Sequence, residues 1–264
     1  MLKKIILLSL ISILLVGCSC NPFYYFPDKN PTVISENAEE FYIPYDKDKK
    51  VHALYFKKEN PVASIFILHG NAGSLTGWQS VAEMLWIEGY QTFIFDYPEF
   101  GNSDGHARHN AVIESSQKAF DFFAAIPGVD STKKIIMGFS LGANLALKIG
   151  PDNQDQLDAM VIEGVFNNYR DIGINHTPKF LRFAPFLLLG NKFKGEETIK
   201  TWTKPLLVVH STDDRDCPYE MGKEVFANAP SERKEMWTIK GAHIAGFANY
   251  SSEYLYKIRN LIVE

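Results

Sequence analysis

Three features of this 264-residue chain predict an α/β fold with a mainly parallel sheet flanked by helices on both faces. Strand-length apolar runs alternate with helical patterns from about residue 51 onward. Some of these runs are apolar almost throughout, as in "ASIFILHG" (Ala63 to Gly70), which suits strands buried on both faces. Polar, glycine-containing motifs follow the runs directly, at the carboxyl ends of strands, where sites form in such sheets. The composition, 46% apolar and 22% charged, is that of a globular protein, and the length suits one large core. No internal repeat or low-complexity stretch interrupts it.

In order, "VHALYFKK" (Val51 to Lys58) has strand character, followed by the Ala63 to Gly70 run. A helix is expected over Gly77 to Gly89, a strand over Gln91 to Tyr97 and a helix over Asn110 to Ile126. "KKIIMGF" (Lys133 to Phe139) is a strand, Leu141 to Gly150 a helix and "DAMVIEG" (Asp158 to Gly164) a strand. "PLLVVHS" (Pro205 to Ser211), a helix near Tyr219 to Ala229, "EMWTIKG" (Glu235 to Gly241) and a helix near Ser251 to Ile262 complete the series.

The first residues stand apart. "MLKK" is basic, and "IILLSLISILLV" (Ile5 to Val16) is an apolar run too short for a membrane span, as in a secretory signal peptide. "LVGC" (Leu15 to Cys18) resembles the lipobox of bacterial lipoproteins. That resemblance implies cleavage after residue 17 and a lipid on Cys18, holding the protein to a membrane of the bacterial envelope. Ser19 rather than Asp in the next position points, by analogy with Gram-negative lipoproteins, to the outer membrane. Residues 18–40 then read as a tether, whose aromatic stretch "NPFYYFPDKNP" is suited to touch the domain or the membrane interface, and residues 41–264 as the folded domain. Removing residues 1–17 takes away Lys3, Lys4 and no acid, moving the net charge from −4 to about −6. No basic tract remains, which argues against nucleic acid as a partner. Of the other cysteines, Cys20 and Cys217, the latter reads as a small buried apolar group.

Two stretches fit G-x-S-x-G, the pattern of a sharp turn that presents a serine nucleophile. "GFSLG" (Gly138 to Gly142) has a strand before it and a helix after it. "GNSDG" (Gly101 to Gly105) follows Pro98 and leads into "HARHN", so Ser103 reads as a turn residue. Ser140 is therefore the candidate nucleophile. A serine hydroxyl needs a base, and the base an orienting carboxylate. His243 in "GAH" lies just past a strand, and Asp213, Asp214 and Asp216 share the loop "HSTDDRDCP" after another.

Together with "HGNAG" (His69 to Gly73) and "DYPEFGNSDG", these motifs resemble, from Val62 to the C terminus, an α/β-hydrolase of the BEM46-like, serine aminopeptidase S33-like group. The resemblance implies an α/β-hydrolase fold with a small lid segment at about residues 165–204 and a triad in the order Ser, acid, His. The group's acid loop reads H-G-x-x-D-x-x-V-P. Matching His210 and Pro218 to it places the acid on Asp214, with Ser211 and Cys217 replacing the usual Gly and Val. It also implies an oxyanion hole from the N–H groups of Asn71 and Leu141, and no cofactor. Pro98 stands where the group has Arg. "HGNAG" lacks the Gly-Lys-Ser/Thr of a phosphate loop, and His69, His106, His109 and His210 are not at metal-ligand spacings, so no metal is expected.

The expected reaction is cleavage of a small-molecule or lipid acyl bond, as a carboxylic ester or thioester, through an acyl-enzyme. An S33-like peptidase and a non-catalytic surface lipoprotein that binds a partner are the alternatives. Within the lid segment, "FLRFAPFLLLG" (Phe180 to Gly190) reads either as a helix packed on the core or as the wall of an acyl pocket.

The leader gives a direct test. Cys18→Ala should abolish labelling by fatty-acid analogues and release the protein from the membrane fraction, or leave it uncleaved. Undiminished lipid labelling of that variant would rule out Cys18 as the anchor.

Overall fold

The structure, a computed structural model, describes residues 24–183 and 193–263. Cys18 and the leader lie outside the described residues, and among those described no helix is long and apolar enough to cross a membrane.

Eight strands form the central sheet: β2 (Glu39–Asp46), β3 (Lys49–Phe56), β4 (Ser64–Leu68), β6 (Gln91–Phe95), β7 (Lys134–Phe139), β8 (Ala159–Glu163), β9 (Leu206–Ser211) and β10 (Lys234–Ile239). Their order is β10-β9-β8-β7-β4-β6-β3-β2. The neighbours from β10 to β6 are parallel, while β3 runs antiparallel to β6 and β2 to β3. The helices are α1 (Leu75–Ile87), α2 (His109–Ala124), α3 (Leu141–Ile149), α4 (Tyr169–Asn175), α5 (Gly195–Thr198), α6 (Tyr219–Asn228) and α7 (Gly246–Ile262). The predicted α/β-hydrolase class therefore holds, and the boundaries fall close to those expected.

Alternation along each strand divides the core in two. Ile65 and Ile67 of β4 point to one face, packed with Leu75, Ala82 and Leu85 of α1 and Phe247, Tyr254 and Ile258 of α7. Phe66 and Leu68 point to the other, with Phe120 and Phe123 of α2 and Leu145 of α3. Phe66 meets Phe93, Phe95, Phe120 and Phe123 with ring centroids 5.4–5.9 Å apart. All five side chains are fully buried, each burial being worth about 1.5–3 kcal/mol.

Two parts of the chain add to the sequence expectation. Strand β2 was not foreseen. It is an edge strand with Ile43 and Tyr45 buried and their neighbours in contact with solvent, and it carries Pro44 beside a register shift, where an edge tolerates proline. The expected tether is bound to the domain from Tyr24 onward. Residues Phe26–Pro27 form a short strand, β1, parallel to β5 (Ala72–Gly73). Asp28 donates to Gly73 O (2.9 Å), and Ser35 to Gln79 Oε1 (2.9 Å). Tyr25 is buried with its hydroxyl 2.7 Å from His109 Nδ1, and Tyr24 stacks on Tyr169 with ring centroids 3.8 Å apart. Aromatic burial and a free strand edge account for the docking.

The lid segment contains α4, α5 and short 3₁₀ turns at Lys179–Leu181 and Ile199–Thr201. The described part of its apolar stretch faces outward, Phe180 being 79% and Phe183 63% exposed. The rest of that stretch falls in residues 184–192, outside the described residues.

Because residues Tyr24 to Asp28, the start of a strap laid across the domain, hold the loop that carries Asn71, deleting residues 19–30 should slow turnover of a soluble ester about tenfold or more while the sheet stays folded. Ester turnover and circular dichroism of the shortened chain check this. Unchanged kcat would show that the strap is dispensable.

Candidate active site

The turn between β7 and α3 is forced by its glycines. Ser140 sits between them at φ 54, ψ −114, a left-handed conformation that costs a non-glycine residue roughly 1–3 kcal/mol. A Cβ on Gly138 would fall 2.2 Å from Gly142 O. One on Gly142 would fall 2.0 Å from Leu68 O and 2.6 Å from His69 O, so α3 can rest on the end of β4 only without a side chain there. The Ser140 N–H donates to Glu163 O (2.8 Å), fixing the turn to β8. Leu141 is the first residue of α3, where N–H groups have no intrahelical acceptor and the helix dipole is positive.

The second loop, His69 to Gly73, leaves β4. His69 is fully buried: Nδ1 lies 2.7 Å from Gly70 O and Nε2 3.5 Å from Asp96 Oδ1, and Tyr97 donates its hydroxyl to His69 O (2.7 Å). Asn71 is held from the strap side. Its carbonyl accepts the Phe26 N–H (2.8 Å), and its side-chain amide donates to Tyr24 O (2.8 Å). Ser103, in contrast, is a structural residue. Its hydroxyl donates to Asp96 O (2.9 Å) and accepts the His52 N–H (2.9 Å), lacing β3 to the loop after β6.

Asp214 and His243 meet. His243 Nδ1 lies 2.6 Å from Asp214 Oδ2, in a carboxylate with no exposed side-chain surface. Asp214 Oδ1 accepts the N–H groups of Asp216 (2.9 Å) and Cys217 (2.8 Å). Burial pushes the Asp214 carboxyl up, but the His243 hydrogen bond and charge, the Cys217 N–H and His210 together hold it below the usual carboxylate range. Asp213 points elsewhere, its oxygens 3.4 Å from Lys240 Nζ and 3.3 Å from the Gly241 N–H at the surface. The loop carrying His243 is shaped by Gly241 at φ 122 and Ile244 at φ 52.

Ser140 is tied to the same place. Its N–H is bound to Glu163, and a Cβ on the next residue, Gly164, would lie 2.7 Å from His243 Cε1. Among the described residues Ser140 Oγ makes no hydrogen bond to His243; such bonds commonly tighten only with substrate present. Asp214 engages the Nδ1 side of the His243 ring. Cys217 is buried beside Ser140, and burial, with Asp214 and Asp216 nearby, keeps its thiol protonated despite a hydrogen bond with Ser140. Asp214, Asp216 and His243 have ligand atoms within 4.8 Å of one another, but three donors already occupy both oxygens of Asp214.

Sequence reasoning gave Glu163 no role. It closes β8 with a carboxylate almost wholly buried, Oε1 accepting the Gly246 N–H (2.7 Å). Burial pushes its carboxyl up to about 7, against the Gly246 N–H, Tyr254 and His243, which favour the charged form, and with Asp214, which opposes it. The sequence signal was available: an acid ending an otherwise apolar strand, "AMVIE".

The chain has the α/β-hydrolase fold, and hydrolases are among the proteins it is similar to. Residues 59–189 match the family model described as serine aminopeptidase, S33. Over 266 residues the chain is 24% identical to the uncharacterized protein YfhR of Salmonella typhi, covering 94% of this chain and 89% of that one. It is 28% identical over 211 residues to lysophosphatidylserine lipase ABHD12 of Macaca fascicularis, covering 74% of this chain and about half (52%) of the lipase. The solved esterase Pf2001 of Pyrococcus furiosus superposes with a TM-score of 0.72 at 18% identity, covering 92% of this chain and 98% of the esterase.

Glu163 should leave a mark on stability. Its folded-state value, about 7, lies above the ordinary 4.5, so between those pH values the native state holds a proton that the unfolded state has lost. Its contribution is complete below about pH 4.5 and is lost as pH rises through 7, by about 3 kcal/mol. Glu163→Gln lacks this loss, so urea denaturation should show the variant gaining on the wild type from pH 4 to pH 8. Parallel stability curves would refute the assignment.

Proposed function

We propose that this protein is a serine hydrolase that cleaves the acyl bond of a carboxylic ester or thioester. The observation that carries the reading is the buried Asp214–His243 pair, joined at 2.6 Å, beside the left-handed turn that presents Ser140. His243 Nε2 takes the proton from Ser140 Oγ as it attacks the acyl carbon. Asp214 holds the tautomer in which Nδ1 carries the hydrogen and stabilises the imidazolium that forms. The N–H groups of Asn71 and Leu141 receive the oxyanion, each such donor typically being worth about 2.7–4 kcal/mol. The imidazolium then protonates the leaving alcohol or thiol. Water, deprotonated by His243, releases the acid from the acyl-enzyme.

The names of the relatives support this direction. A lysophosphatidylserine lipase and an esterase are both ester hydrolases, which favours a lipid or small-molecule acyl substrate here. The peptidase alternative rests on the family model's description. The lipid anchor at Cys18 is proposed as part of the same picture, placing the hydrolase on an envelope membrane.

One panel tests the reading. Fluorophosphonate labelling and turnover of p-nitrophenyl esters should be abolished by Ser140→Ala and fall by orders of magnitude in Asp214→Asn, which favours the wrong tautomer. Ser103→Ala and Asp213→Asn should label and turn over near the wild-type rate once circular dichroism shows them folded. Labelling of Ser140→Ala would refute the nucleophile, and turnover of aminoacyl-nitroanilides in preference to esters would favour the peptidase.

A further inference from the structure

Glu163 touches both the nucleophile's turn and the base's loop. Its main-chain carbonyl accepts the Ser140 N–H at 2.8 Å, and its carboxylate accepts the Gly246 N–H at 2.7 Å. Gly246 is three residues beyond His243 and is the first residue of α7. Its N–H needs an acceptor, since no earlier turn supplies one, and the carboxylate supplies it at the start of α7, whose first turn is set off by a kink at Tyr250 (φ −139). The approach is close: a Cβ on Gly246 would lie 2.8 Å from both carboxylate oxygens and 2.6 Å from Tyr254 Cε2. The His243 ring lies against the Glu163–Gly164 backbone, because a Cβ on Gly164 would fall 2.7 Å from its Cε1. Glu163 Oε2 and Tyr254 Oη are buried facing each other without completing a hydrogen bond of good geometry among the described residues.

We propose that Glu163 is a positioning residue that sets the separation of Ser140 and His243, holding the nucleophile's turn through its carbonyl and the base's loop through its carboxylate. This rests on the serine-hydrolase reading and adds to it a residue outside the triad. The two holds leave little freedom between them, since one residue supplies both acceptors. A protonated Glu163 still offers a carbonyl oxygen to Gly246, so the hold does not depend on the charge. Asp214 orients the imaginary axis of the ring through Nδ1, whereas Glu163 fixes where the loop that carries the ring begins its helix.

The test compares fluorophosphonate labelling rates and ester kinetics of the full chain with those of Glu163→Leu and Glu163→Gln, alongside circular dichroism. The apolar side chain removes the acceptor, and a misplacement near 1 Å can cost about a hundredfold. Glu163→Leu should therefore lower labelling rate and kcat about tenfold to a hundredfold while KM changes less than about threefold. Glu163→Gln, whose amide oxygen can accept the same N–H, should recover most of that loss. A folded Glu163→Leu that labels at the wild-type rate would overturn the proposal, as would a glutamine variant as slow as the leucine one. Should Glu163→Leu fail to fold, Gly246→Ala replaces it, because a methyl forced against the carboxylate must displace the start of α7. It should slow labelling at least tenfold, and wild-type labelling by that variant would equally overturn the proposal. A wild type that does not label at all removes the serine-hydrolase reading, and this proposal with it; a labelling wild type matched by the folded variants removes the proposal alone.

Discussion

The contact on which the site depends is between two stretches of backbone. Gly142 on α3 lies against Leu68 O and His69 O at the end of β4, leaving no room for even a methyl group. This contact brings the helix that follows Ser140 down onto the strand that feeds the His69–Gly73 loop. The turn at Ser140 and the His69–Gly73 loop are neighbours for that reason; the approach to β4 requires glycine at 142, and the approach to Gly142 O requires it at 138. Ser140 takes its left-handed conformation in the turn that makes this connection. The strain is borne by the surrounding sheet, whose strands β4, β7 and β8 are buried along nearly their whole length.

Two buried acids flank the imidazole and are given opposite characters by their surroundings. Asp214 receives three donors and is held ionised, whereas Glu163 receives one backbone N–H and is drawn toward neutrality by burial. Such divergence between neighbouring carboxyl groups separates their tasks. One is suited to stabilising a passing positive charge. The other can sit close to the ring without competing for its proton.

Much of this was legible in the sequence because local pattern and tertiary role coincide. "KKIIMGFSLGANLAL" states strand, turn and helix in fifteen consecutive letters, and the turn needs its glycines wherever the chain goes. The acid was harder. Asp213, Asp214 and Asp216 are equivalent by composition, and family spacing was needed to favour Asp214, whose side chain is the one turned inward to His243. Strand β2 escaped notice because Pro44 and its solvent-facing residues weaken the pattern at an edge. The partners of the strap's aromatics were not legible, because its bonds run to residues about 45 to 145 positions away, a separation that no local pattern reports. Glu163 was passed over because a single acid at a strand end carries no motif. Its meaning comes from Ser140 and Gly246, on either side of it in space.

The strap also fixes a length. Tyr24, the first described residue, is already fastened to Asn71, and six residue steps separate it from Cys18. Fully extended, those steps span roughly 20 Å, at about 3.3–3.6 Å each. With the proposed lipid on Cys18, the loop that carries Asn71 would be kept on a leash no longer than that. The hydrolase would then sample a thin layer of space next to the bilayer, where headgroups and partly extracted lipids are found, and would meet solutes of the wider compartment only as they pass through it.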